Sequence, residues 1–163
     1  MAIVYPLIAG TPDSSLIVLA ANNEQLSTTS ASAATLATYT LPGGTLGPND
    51  SIRITTLWTF LNNANAKSAY INWGLTTNFI LNETLVSAGL SFQTMQIIRA
   101  NNSTSSQKAF SSFREGVFEK ANAALETDTV DTTVDQDILI RALSDGADAV
   151  NLESYIIELI RGS

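Results

Sequence analysis

The chain has 163 residues, enough for one domain with a real core, and is 45% apolar but only 14% charged, with a net charge of −7. It has no cysteine and no histidine, which excludes disulfides, thiolate chemistry and Cys-held metals and removes the commonest general base and metal ligand. Its basic residues are scattered (Arg53, Lys67, Arg99, Lys108, Arg114, Lys120, Arg141, Arg161), a pattern that speaks against binding nucleic acid or an anionic membrane, since both need clustered cations.

The first stretch, MAIVYPLIAGTPDSSLIVLAA, contains two short β-prone runs separated by Gly10, Thr11 and Pro12. No Lys or Arg precedes Arg53, and Pro6, Pro12 and Asp13 interrupt the apolar runs, so the charged lead of an export signal is absent. Residues 22–35 follow as a polar, low-complexity link. Two readings stand for residues 1–34. They are an arm and link whose strand joins a sheet edge in a neighbouring subunit, or an ordinary first strand of the same domain. On the arm reading the interface residues are Ile3, Val4, Tyr5, Leu7, Ile8, Leu16, Ile17 and Val18, and residues 35–163 form the β-sandwich domain.

A strand is predicted over Thr35–Leu41, ended by Pro42-Gly43-Gly44, with a second turn at 46–50. Over Ser51–Leu61, Ile52, Ile54, Trp58 and Phe60 share one face while Arg53, Thr55 and Thr59 share the other. Asn62–Asn65 reads as a hairpin turn, with Ala69, Ile71 and Trp73 on the return strand. Ser91–Ala100 is a strand and Asn101–Ser106 a polar loop. Residues 107–121 space Phe110, Phe113, Val117 and Phe118 like a helix, yet Gly116 and the β-formers favour strand or irregular structure. Strands over Asp137–Leu143 and Val150–Ile160 flank a turn at 144–148 and read as a second hairpin. About eight strands with regular turn signals predict an all-β fold, an antiparallel β-sandwich or jelly roll.

The stretch ETDTVDTTVDQD gathers Glu126, Asp128, Asp131, Asp135 and Asp137. Oxygen ligands this close suit calcium, but the glycine and terminal glutamate of an EF-hand loop are missing, and turn-capping is the alternative. Carboxylate pairs such as Glu153 with Glu158 have nothing to select them for glycoside hydrolysis, and without histidine a serine nucleophile would need Lys67 or Lys108, both read as lying in polar turns. The expectation is no enzyme and no cofactor or metal. Trp58 belongs with the core on alternation; Tyr70 falls opposite Ile71 and Trp73 and is the better surface aromatic for an interface or a sugar, with Tyr155 a further interface candidate. Arg53 points out of its sheet and pairs with Glu153 or Glu158, with a partner's carboxylate, or with nothing. The acceptor sequences at Asn82 and Asn102 carry no weight without an export signal.

Two segments, LPGGTLGPNDSIRITTLWTFLNNANAKSAYINWG (41–74) and DTTVDQDILIRALSDGADAVNLESYIIELI (131–160), carry a string of small features. These are Leu41-Pro42, Leu46-Gly47, Asn49, Arg53-Ile54-Thr55, Trp58, Asn62 to Asn65, Asp131 to Gln136 and Leu152-Glu153-Ser154-Tyr155. Together they resemble a β-sandwich module of tailed-bacteriophage virion proteins, found in capsid decoration proteins and in tail or fibre proteins. Trp73-Gly74-Leu75 departs from the usual Gly-Gly of that module. The resemblance implies a jelly-roll-like fold, a homotrimer, and attachment to the major capsid protein on the outside of a virion, the chain being made in the host cytoplasm and not secreted. The module fills nearly the whole chain, which favours a cement protein bridging capsomers over a fibre with a long shaft. The other reading is a receptor-binding module that recognises host glycans.

Overall fold

The computed structural model describes residues 15–61, 63, 65–74, 79–85, 91–115, 118–119, 125–146 and 148–162. These residues form β1 (Leu16–Asn22), β2 (Leu26–Thr28), β3 (Ala34–Leu41), β4 (Ser51–Phe60), β5 (Lys67–Trp73), β6 (Phe79–Leu85), β7 (Ser91–Ala100), β8 (Gln107–Glu115), β9 (Phe118–Glu119), β10 (Leu125–Asp128), β11 (Gln136–Ser144) and β12 (Val150–Ile160). Among the described residues there is no helix, hence none long and apolar enough to cross a membrane.

The strands form two antiparallel sheets. The larger runs β1-β12-β4-β7-β8-β10, with β2 also on β12 and β9 on β8; the smaller runs β3-β11-β5-β6. The fold is therefore the expected antiparallel β-sandwich. Its core is built by alternation, because successive side chains of a strand point to opposite faces. Ile52, Ile54, Trp58 and Phe60 of β4 are buried facing Ala69, Ile71 and Trp73 of β5 and Ile138, Ile140 and Ala142 of β11. Trp58 stacks on Phe92 at 6.0 Å between centroids, and Phe60 meets the same ring tilted at 5.7 Å. One polar seam runs through this core. Thr56 and Thr94 share a hydrogen bond, and the Trp58 Nε1–H donates to Thr56 Oγ1 at 2.7 Å.

Two expectations need correction. β4 and β5 are not a hairpin, because β4 pairs with β12 and β7 whereas β5 pairs with β11 and β6. β11 and β12 likewise lie in different sheets. Both connections are arches that carry the chain from one sheet to the other. Alternation fixes which face of a strand is buried and is silent on which sheet holds it. The connection also lacks the Asn-Gly pair that makes a two-residue turn, and Asn62 and Ala64 of the expected turn lie outside the described residues. Of the two readings left open for residues 1–34, the described strands fit an ordinary first strand, because β1 and β2 are bonded to β12 of the same chain. The ambiguous segment 107–121 is extended over β8 and β9. β12 carries a bulge at Glu153, which shifts register between Leu152 and Ser154 and returns Tyr155 to the inner side opposite Thr56.

Candidate interaction surfaces

Turn residues dictate one end of the sandwich. The β3–β4 connection folds on itself through Thr45 N–H to the Pro42 carbonyl and Asp50 N–H to the Gly47 carbonyl, both 3.1 Å. It then meets the turn after β10. Gly44 N–H donates to the Thr132 carbonyl at 2.8 Å and Gly43 N–H to Asp135 Oδ1 at 2.9 Å. Thr132 in turn bonds the Thr104 carbonyl from both its N–H and its hydroxyl. A Cβ at Gly43 would lie 2.4 Å from the Thr133 carbonyl oxygen, so only glycine admits this approach. Asp50, 6% exposed, accepts from Gly47 N–H, Gly162 N–H and the Arg161 guanidinium. Burial alone would raise its pKa; these donors outweigh it and hold the carboxyl below its ordinary value. The two segments that carry the phage resemblance thus meet in one cluster of turns.

The acidic stretch is occupied in the same way. Asp131 caps Thr133 through its N–H and hydroxyl, which lowers its pKa; Asp137 accepts from the Thr40 hydroxyl at 2.7 Å, and Asp128 from Thr129 N–H. Among the described residues no group of acids is gathered as a metal would require.

A second cluster ties the arches together, and sequence reasoning missed it. Lys67, expected in a polar turn, is 1% exposed at the start of β5. Its ammonium donates to Asn63 Oδ1 and, at 2.9 Å, to the Asn65 carbonyl, and lies 3.4 Å from Asp148 Oδ2. That carboxylate also accepts the side-chain amides of Asn63 and Asn65, each at 2.8 Å. The Asn65 and Asn63 amides are the main reasons its pKa is lowered, with Lys67 adding to them. Three acceptors around one ammonium make it a structural anchor. No sequence signal marks this lysine, because a charged residue opening a strand is ordinary.

The outer face of the large sheet is the most apolar exposed region described. Leu16 and Val18 of β1, Ile156 of β12, Leu57 of β4, Met95 of β7 and Phe110 of β8 are between 37% and 45% exposed. Registers set them side by side. Val18, Glu158, Arg53, Ile97 and Phe110 form one row across five strands, and Ala21, Ile156, Thr55 and Met95 the next. Within this face Arg53 Nε donates to Glu158 Oε2 at 2.7 Å, which resolves the choice left open by sequence; that bond is the chief cause of the raised Arg53 pKa. Glu153 is taken instead by Gln25 and Thr59.

The other candidates are dispersed. Ile3, Val4, Tyr5, Leu7 and Ile8 lie outside the described residues. Ile17 turns inward, and Tyr155 packs against the core, where burial raises its pKa. Tyr70 is half-buried on the outer face of the small sheet, in register with Arg141.

No family model and no curated protein matches this sequence. Among solved structures the chain is similar to the CBM2 module of the evolved Dit of Lactobacillus casei BL23 phage J-1, at 9% identity and TM-score 0.41 over 77% of this chain and 70% of that one. It is similar to the lectin UEA-II complexed with galactose, at 9% identity and TM-score 0.42 over 93% and 95%. A third is the infectious bursal disease virus VP2 subviral particle, at 12% identity and TM-score 0.37 over 97% of this chain and 38% of that one.

Proposed function

We propose that the protein is a non-enzymatic structural component of a tailed-phage virion, a decoration protein that binds the outer capsid and staples neighbouring capsomers. The observation that carries this reading is the turn cluster. Residues 42–50 and 131–136 belong to the two segments, 41–74 and 131–160, that resemble one virion module, and they are joined by Gly44 to Thr132 and Gly43 to Asp135. The side chains named above support it: Asp131 and Asp135 hold turns, Glu158 pairs with Arg53, and Lys67 is engaged by three acceptors. A staple needs recognition and multivalency, and many modest contacts repeated over a shell add up to firm attachment. Purified chain mixed with phage heads is expected to co-sediment at a fixed ratio per capsomer; failure to bind any head, with the fold intact, would overturn this function.

A second reading, a glycan-recognising module of a tail fibre, is favoured by Tyr70, a half-buried aromatic beside Arg141 on the outer face of the small sheet. Aromatic faces stack on sugar rings while a neighbouring cation fixes polar substituents. Glycan-array binding abolished by Tyr70→Ala would establish it, and an array without signal would remove it.

A further inference from the structure

The outer face of the large sheet combines exposed apolar groups with an ion pair, and the arrangement is self-complementary. Arg53 of β4 and Glu158 of β12 sit at the same level on neighbouring strands. A two-fold axis running along the strands, between β4 and β12, exchanges these two strands across an interface. It places Arg53 of one copy over Glu158 of the other, and the reverse. The same operation sets Met95 against Ala21 and Ile97 against Val18, because β7 and β1 lie equally far from the axis on opposite sides. The four strands that this axis superposes, at about 4.8 Å spacing, and four alternate rows about 6.8 Å apart give a face of roughly 500 Å². Two such faces bury about 1,000 Å², the lower bound for a specific association.

We propose that this face is the contact between two copies of the chain, packed sheet on sheet about that axis, with the two Arg53–Glu158 pairs joined into a four-charge cluster at its centre. Charge complementarity selects a second copy as the occupant. A foreign partner would need its own matched pair, whereas the two-fold supplies one from the same residues. The inference does not rest on the virion reading, and a protein that never binds a capsid would still pair this way. Face-to-face packing closes at two copies, so a homotrimer, which the resemblance implies, would have to be built through other surfaces.

The test is solution mass by sedimentation equilibrium on the full chain and its variants. The parent is expected at twice the 17.3 kDa chain mass, or at a larger even multiple. Ile156→Lys and Met95→Lys change exposed positions, so the monomer stays folded by circular dichroism while the mass falls by half. Arg53→Glu sets like charges together within and between copies and has the same effect, and adding Glu158→Arg restores the parent mass. A monomeric parent, or a mass unmoved by Ile156→Lys, would overturn the proposal.

Discussion

Replacing Lys67 by methionine isolates what the buried ammonium does, because methionine keeps the unbranched apolar stem and deletes only the charge and its donors. In the folded chain that ammonium serves Asn63 Oδ1, the Asn65 carbonyl and Asp148 Oδ2 while its side chain is 2% exposed. Removing one partner from a buried pair costs about 3–5 kcal/mol, since the other is left uncompensated. Asp148 is 16% exposed and keeps two amide donors, so water and the asparagines absorb part of the loss. The expected cost of Lys67→Met is therefore about 3 kcal/mol, or roughly 6–12 °C in Tm for a domain of this size. Trp58 and Trp73 are both fully buried, so urea unfolding followed by tryptophan fluorescence reports the change directly. Arg53→Met supplies the comparison. Its side chain is 33% exposed, and a surface pair of that kind is worth about 1 kcal/mol or less. If both substitutions cost the same, or Lys67→Met costs under about 1 kcal/mol, the ammonium does not anchor the arches.

Gly43→Ala drives a Cβ against the Thr133 carbonyl and the Val134 Cα, and an overpacked contact of that kind is expected to cost about 2 kcal/mol in urea unfolding. Asp50, Asp131 and Asp148 titrate below their ordinary value in the fold, so their stabilisation is complete above about pH 4 and is lost as pH falls through the lower folded values. Burial raises the pKa of Tyr39 and Tyr155, so their stabilisation is complete below about pH 10 and is lost as pH rises through the higher folded values. With no histidine, the urea midpoint is expected to stay level between about pH 5 and 9, and a step near neutrality would contradict the assignment. Deleting residues 1–22 removes β1, bares the β12 edge and is expected to lower the urea midpoint.

Much of the fold was legible in the sequence because alternation is a local property. The inward set Ile52, Ile54, Trp58 and Phe60 follows from a period of two, as does the outward Arg53, and the Pro-Gly-Gly and Gly-Pro-Asn stops fall at real strand ends. Sheet membership was not legible, since it depends on long-range pairing. β4 contacts β12 and β7, whose strands lie some forty to a hundred positions away, and no short segment encodes that choice. The bulge at Glu153 escaped for a related reason. It exists only relative to the β4 partner, and it decides that Tyr155 turns inward rather than toward an interface.

The same limit explains why the anchors were missed. Lys67, Asn63 and Asp148 come from the two arches, and they meet because both arches cross between the sheets at one end of the sandwich. Read as hairpins, those segments would hold Lys67 and Asp148 on separate turns with no reason to touch. The crossing creates the need as well as the meeting. An arch cannot pair its own strands, so side chains must supply the cross-links that a hairpin ladder would provide. Gly146 lets the second arch press close, since a Cβ there would lie 2.5 Å from the Asn65 amide nitrogen. At the turn cluster Gly43 allows the equivalent approach and Asp50 gathers the donors. Polar anchors of this kind leave the outer face of the large sheet free of structural duty, and that is where the exposed apolar side chains have gathered.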